Sequence, residues 1–461
     1  MRSTCSMVSG KGQWSRERCH PRGTSVADIH IQPPAAVEAI VARLESSGYE
    51  TWYVGGAVRD ALLGRADLDW DLATAAEPAV VRRLFKRTVP VGIEHGTVGV
   101  MGSDERLYEV TTFRADIETD GRHAVVRFGV SLDEDLARRD LTINAMAWSS
   151  TRRELRDPFG GRDDLEARVV RAVGDATQRM AEDRLRALRA IRFAGRFDFG
   201  IAPDTWGAIV ESAPSLTRLS VERVLQEWVK TLEQVERPSQ TFARWRESGA
   251  LAVLVPPVID TPAEFWIAID HVARAGNTVH AGRASLRALV RLALPFLPLG
   301  ARGAKRALTA LRASNVEIAF TSDVAETWVT CADALQRLAI DGASDLSALR
   351  RIVAGIGRMR VGGTLRCVFA VWAARRALGL PAPDGAAQRR LARVMLGIAF
   401  RDPIALGDLA VTGDDLRAAG VAPGPAMGRI LHEMLESVLA DPTLNTHAAL
   451  LTLVQQRTGE S

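Results

Sequence analysis

The chain has 461 residues, 47% of them hydrophobic and 25% charged, with a formal net charge of +4 and a sequence pI of about 9.1. That length exceeds one ordinary core and predicts two to four domains, while the composition is that of a water-soluble globular protein. It excludes a membrane-spanning chain, because no apolar run is long enough for a bilayer, and the start reads as lacking a signal-peptide core.

Cys5, Cys19, Cys331 and Cys367 lie far apart and form no CxxC pair. Their spacing argues against a zinc site and a disulfide framework, and predicts a reducing, cytoplasmic setting. The arginine content is compatible with a nucleic-acid partner without demanding one, since a genome-wide Ala/Arg bias gives the same balance.

Residues 1–27 lack apolar periodicity and predict a disordered basic arm. From Pro34, AAVEAIVARLESSG predicts an amphipathic helix ending at Gly48. TWYV then reads as a short buried strand, Gly55–Gly56 as a turn, and AVRDALLG as a helix closed by Gly64. LDWDLAT reads as a second strand and PAVVRRLF as a helix with Pro78 at its start. GTVGVMG and RLYEVTTFR read as paired strands. After about residue 176 the pattern is helical almost to the end, broken near Pro256–Pro262, Pro295–Gly303 and Pro381–Gly385. The expected architecture is an α/β head with a small mixed sheet (28–175), followed by an all-α multi-part body. Within that body we expect a helical neck (176–235), a body proper (236–390) and a tail (391–461).

In a strand, residues two apart point the same way, so Asp69 and Asp71 share one face while Leu68, Trp70 and Leu72 occupy the other. Paired carboxylates with no neighbouring cation suit a hard divalent ion, Mg²⁺ above all. A solvated strand end is the alternative, and Asp67 reads as a bystander of that kind. Gly55 and Gly56 lie between strand and helix, where backbone N–H groups face whatever occupies the turn. Arg59, one turn into the helix, adds a charge-assisted donor. Taken together, the turn, Arg59 and the DxD pair read as a cradle for a triphosphate beside a metal seat.

This stretch resembles the first motif of the class II tRNA nucleotidyltransferase/poly(A) polymerase family, within the polymerase-β-like nucleotidyltransferases. RRDLTINAMA (138–147), DPFGGRDDLEAR (157–168), EDRLRALRAIRFAGRF (182–197), RLSVERVLQEW (218–228) and VTGDDLRAAGVAPGPAMGRIL (411–431) resemble its later motifs in order. The stretch 235–400 is much less diagnostic.

The resemblance implies template-independent addition of C and A to the 3′ end of tRNA from CTP and ATP, with Mg²⁺ as cofactor and release of pyrophosphate. It implies that Asp183 and Arg186 read the base and that Arg189 and Arg192 meet the triphosphate. Cytosine and adenine both carry an exocyclic amine donor beside a ring-nitrogen acceptor; a carboxylate and a guanidinium match both, and mismatch uracil and guanine. Asp183, Arg186, Arg189 and Arg192 recur every three residues, and the alternative for this stripe is a solvated basic helix face. Arg138 and Arg139 are expected on phosphate or sugar, with Asp140 and Asn144 holding their loop, a packing role being the alternative for Asn144. Glu109 is a candidate third carboxylate, as metal ligand or base, or else a surface glutamate pairing with Arg114.

Basic helices such as 389–393 and 349–360 are expected to track RNA phosphates. His271 follows Asp270 rather than preceding it, so that neither it nor His280 predicts a second metal site. Poly(A) polymerase, partial CC- or A-addition and a silent RNA-binding protein are the competing readings. For A-addition the segment after Arg114 matters, because HAVV (123–126) stands where relatives carry a proline-containing stretch of a flexible loop.

Overall fold

A computed structural model describes residues 31–65, 69–119, 124–272, 280–281 and 284–458. The expected arm at 1–27, Asp67 and the side chain of His280 lie outside the described residues. The chain divides into two compact units, one of residues up to Thr111 with Ala147–Leu155, the other of Thr112–Met146 with everything from Arg156 onward.

The first unit opens with helix α1 (Ala35–Ser46), which buries Val37, Ile40, Val41 and Leu44 along one stripe. Strand β1 (Thr51–Val54) is buried throughout. Helix α2 (Gly56–Leu62), strand β2 (Asp71–Thr74) and helix α3 (Pro78–Leu84) follow, the last with its proline in the first turn. Strands β3 (Thr88–Gly92), β4 (Thr97–Met101) and β5 (Leu107–Thr112) come next.

After an excursion the chain returns as β8 (Ala147–Ser149) and β9 (Glu154–Arg156). These seven strands form one sheet in the order β3-β4-β5-β2-β1-β8-β9. The interior strand β1 pairs antiparallel with both neighbours, Val54 facing Asp71 on one side and Ala147 on the other. Below it, Tyr53 meets Trp70 edge-to-face at 5.3 Å.

Three expectations change. The second strand was expected from residue 68, but β2 begins at Asp71, so Asp69 and Trp70 precede it. Strand β3 has no alternation to announce it, because its TVPVG sequence sits on the sheet edge, where Pro90 is tolerated. The segment after Arg114 forms a two-stranded ribbon, β6 (Arg114–Thr119) with β7 (Ala124–Phe128).

In the second unit, helix α4 (Leu132–Ala137) starts from a capping box between Ser131 and Glu134. A 3₁₀ turn (Thr142–Asn144) and helices α5 (Gly161–Ala167), α6 (Ala176–Glu182), α7 (Leu185–Phe197), α8 (Pro203–Ser212) and α9 (Val221–Gln234) follow. Trp228 of α9 is fully buried among Phe242, Trp245, Trp266 and Phe296.

Further along are two apolar clusters. One gathers Leu335, Leu349, Val353, Leu365, Trp372 and Leu391 with Met395 and Ile398; the other gathers Leu409, Leu416, Val438, Leu450 and Val454. The tail expected from residue 391 therefore begins inside helix Gly385–Arg401, whose apolar face belongs to the earlier cluster. No described helix is long and apolar enough to cross a membrane.

Candidate nucleotide and metal site

In the first unit the site is built around a turn that only glycine enters without strain. Gly55 has φ +68°, in the left-handed region that a Cβ disfavours. Gly56 opens α2, and a Cβ placed there would stand 3.5 Å from the Arg59 guanidinium. Arg59 is itself buried, and its Nε donates to Asp60 Oδ1 at 2.9 Å. The arginine expected to reach outward thus lies beneath the turn with a carboxylate partner.

Asp69 is exposed, Trp70 buried and Asp71 half-buried, followed by buried Leu72. The alternation expected of a strand holds in burial although the ladder starts only at Asp71. Glu109 is exposed on β5, the strand next to β2. Among the described residues no group of three or more His, Cys, Asp or Glu side chains is placed to hold one metal ion.

The second unit carries a chain of ion pairs. Asp135 of α4 is buried; it accepts from Arg138 Nε at 3.0 Å and Arg139 Nη2 at 3.2 Å. Burial opposes its ionisation, but the two guanidinium groups outweigh that and hold its carboxyl below the usual range. Asp140 Oδ1 accepts from the Leu141 N–H at 2.9 Å and Asn144 Nδ2 at 3.0 Å, while Oδ2 accepts from Arg189 Nε at 2.7 Å. Here too burial raises the pKa, and Arg189 with Asn144 overcomes it, bringing Asp140 to about 2. The loop-holding roles expected of Asp140 and Asn144 are what this geometry performs.

The recognition segment differs from expectation at its start. Asp183 does not lie on α7; it sits between α6 and α7 with extended backbone (φ −143°, ψ 106°). Its Oδ1 accepts from the Leu185 N–H at 3.0 Å and its carbonyl from the Arg186 N–H at 2.9 Å, so it acts as a helix cap. Its Oδ2 meets Arg223 Nη2 of α9 at 2.8 Å. Arg186 Nη1 donates to Glu182 Oε2 at 2.7 Å and Nη2 to the Arg138 carbonyl at 2.8 Å.

Arg192 is buried, its Nε 2.6 Å from Glu227 Oε2 and its Nη1 2.9 Å from Gln234 Oε1. The stripe is no solvated basic face, and Arg192 is turned into the packing rather than toward a solvent-borne ligand. Leu185, Leu188 and Ile191 are buried as expected.

Sequence reasoning missed the partners Asp60, Asp135, Glu182, Arg223 and Glu227. Glu182 and Asp135 carried a helical-spacing signal, four residues before Arg186 and Arg139. Arg223 and Glu227 carried none, lying 40 and 35 residues from Asp183 and Arg192. DPFGG has a structural use: Asp157 accepts from the Gly161 and Arg162 N–H groups at 2.8 Å each, and a Cβ on Gly161 would stand 2.2 Å from the Thr142 carbonyl.

Residues 51–171 match the family described as poly A polymerase head domain, 198–260 that described as probable RNA and SrmB-binding site of polymerase A, and 400–454 that described as tRNA nucleotidyltransferase domain 2. A CCA-adding enzyme of Lactiplantibacillus plantarum is 32% identical over 437 residues, covering 92% of this chain and 97% of the relative. One from Enterococcus faecalis is 44% identical over 244 residues, 49% of this chain and 60% of the relative. An alignment to the Geobacillus kaustophilus enzyme spans 48% of that relative. Among solved structures, the CCA-adding enzyme of Bacillus stearothermophilus in complex with CTP has a TM-score of 0.71 at 30% identity, covering 92% of this chain and 98% of that one. Likeness that runs almost end to end, in sequence and in fold, means that this chain belongs to the CCA-adding tRNA nucleotidyltransferase/poly(A) polymerase family.

Proposed function

We infer that the protein is a nucleotidyltransferase that adds C and A to the 3′ end of tRNA without a template, using CTP and ATP and releasing pyrophosphate. The observation that carries this reading is the near full-length likeness to a CCA-adding enzyme, in a chain whose Asp183 and Arg186 sit together at one helix start. The primer 3′-hydroxyl attacks the α-phosphorus, and the bond from that phosphorus to the bridging oxygen of pyrophosphate breaks.

In the first unit the Gly55–Gly56 turn would take the phosphates. Asp69 and Asp71 are the proposed seat for Mg²⁺. An exposed and a half-buried carboxylate fit this ion, which keeps several waters and completes its shell with substrate phosphates rather than a protein cage. When bound, the metal would neutralise charge on the phosphoryl oxygens. Glu109, exposed on the strand next to β2, is the proposed third carboxylate, as ligand or base.

In the second unit the Asp183 carboxylate would accept from the exocyclic amine of C or A, and Arg186 would donate to the ring nitrogen. Reversed polarity in U and G forfeits roughly 1–3 kcal/mol per pair. Arg223 and Glu182 hold these two groups from behind. Arg138 and Arg139 would present their remaining donors to phosphate or sugar. Arg189, half-buried and anchored to Asp140, would still meet the triphosphate, while the buried Arg192 serves as a support beneath, anchored to Glu227. The proposed setting is the cytoplasm, where tRNA, CTP and ATP occur together.

The test is to incubate the purified protein and Mg²⁺ with tRNA lacking its 3′ end and each single NTP or a mixture, then size the products. Addition of C, C, A and a stop is expected. A long A tail on generic RNA would mark a poly(A) polymerase, a stop after C, C a partial enzyme, and no incorporation would overturn the reading.

A further inference from the structure

The edge of the first unit's sheet has a solvent face of the wrong character for a solvent face. Along β4 and β5 the inward residues Val98, Val100, Tyr108 and Val110 are buried, as one covered face of an antiparallel sheet requires. The outward residues should then be polar. Instead Val89 is 41% exposed, and Val91 and Leu107 are 43% exposed.

These side chains are gathered around Gly99. Val89 and Glu109 stand directly opposite it on either side, and a Cβ at Gly99 would lie 2.9 Å from both Val91 Cγ2 and Leu107 Cδ1. The glycine lets the two apolar side chains close over the strand into one low, continuous patch, and contiguous exposed apolar surface of this kind marks a contact site.

Two further observations say what the patch meets. Glu109 borders it, and β5 is the neighbour of β2, the strand that carries Asp71. Lys86, Arg87 and Arg106 stand exposed immediately before β3 and β5, and the Met101 N–H binds the Arg87 carbonyl at 3.0 Å, so these cations gather at one end of the three strands; Arg87 lies 3.9 Å from Glu105, which leaves Lys86 and Arg106 as the main cations of the rim. Apolar surface with cations at its rim and a carboxylate at its border suits an unpaired RNA end, whose bases offer flat apolar faces and whose backbone carries the charge.

We propose that Val91 and Leu107, closed over Gly99, form with the neighbouring Val89 a platform on which the 3′-terminal bases of the RNA primer lie beside the acidic strands. This deepens the nucleotidyl-transfer reading and rests on it. The platform orients the primer end and contributes nothing to binding of CTP or ATP.

The test uses the full chain and tRNA lacking CCA whose last nucleotide is 4-thiouridine, irradiated and mapped by peptide mass. Crosslinks are expected within 89–91 or at Leu107. Val91→Thr with Leu107→Thr, which keeps β-compatible side chains at exposed positions, should slow the first C addition about tenfold at saturating CTP. CTP affinity should stay within about twofold of the parent. Leu107→Glu, which adds repulsion toward phosphate, should slow addition further.

Crosslinks mapping elsewhere, or both variants adding C within about twofold of the parent, overturn the platform. A parent that adds C but crosslinks elsewhere loses the platform alone. A parent that adds nothing yet crosslinks at the platform keeps it and loses the transfer reading. An RNA-independent dimer that Leu107→Glu dissociates, with crosslinks elsewhere, assigns the face to a second copy and overturns the proposal.

Discussion

Asp183 does two jobs with its two oxygens, and that division sets what each substitution will do. Oδ1 caps α7 through the Leu185 N–H, and Oδ2 is held by Arg223. Arg223→Gln keeps a donor but removes the charge that fixes the carboxylate. It is expected to leave ATP and CTP usable while reducing discrimination against UTP and GTP about tenfold, since a bidentate pair carries roughly 1–3 kcal/mol; ratios of kcat/KM for the four nucleotides check this. A merely structural arginine would lower all four together. Asp140 supports a second prediction. Its carboxyl is held down at about 2 in the folded chain, below the ordinary value of 3.8, so the unfolded state binds the proton first as pH falls. The stabilisation is present above about 4 and is lost as pH drops toward about 2. Asp140→Asn leaves the half-buried Arg189 without its counter-charge and is expected to cost about 1–3 kcal/mol at neutral pH, read by urea unfolding, with the gap from the parent closing below about pH 4.

At the scale of elements, α7 illustrates both what a sequence can say and where it stops. Its apolar stripe of Leu185, Leu188 and Ile191 was legible because the 3.6-residue period is unbroken. Its first residue was not, because EDRLRALR is helix-compatible throughout, while the break is marked by the cap that Asp183 makes to the Leu185 N–H and by its contact with the distant Arg223. The same limit hid Glu227 as the destination of Arg192. Strands β1, β4 and β5 were legible from β-rich runs bounded by glycine, whereas β3 and the β6–β7 ribbon carry proline or charge and have no one-sided pattern. Of the site, the acidic pair and the glycine turn were legible because their chemistry is local. Gly195 in the middle of α7 had no sequence rationale, since glycine inside a helix costs about 1 kcal/mol. Packing supplies one: a Cβ there would lie 2.1 Å from Thr241 Oγ1 and 3.3 Å from Val235 Cγ1. Gly195→Ala should therefore destabilise the fold by about 1–3 kcal/mol despite its better helix propensity. Thermal unfolding would measure this, and Thr241→Ala in the same chain should recover part of the loss.

For the whole molecule, the modest net charge of +4 hides a division between arginines that hold the fold and arginines that face water. The two basic stretches expected to track RNA are not equivalent. In 349–360, Arg350 pairs with Asp402, Arg351 with Glu436, Arg358 with Asp408 and Arg360 with Asp323. In 389–393, Arg389, Arg390 and Arg393 are exposed and make no ion pair among the described residues. A cation already matched by a carboxylate releases few counterions when a phosphate approaches, so only the second stretch should register in the salt dependence of binding. Replacing Arg389, Arg390 and Arg393 together by Gln is expected to weaken tRNA binding about tenfold near 0.1 M salt and to flatten the log–log salt slope by about 2. Arg351→Gln with Arg360→Gln should leave the slope within about 0.5 of the parent. Filter binding across a salt series separates the outcomes, and equal slopes for the two variants would mean that pairing with a carboxylate does not sort RNA-contacting arginines from the others here.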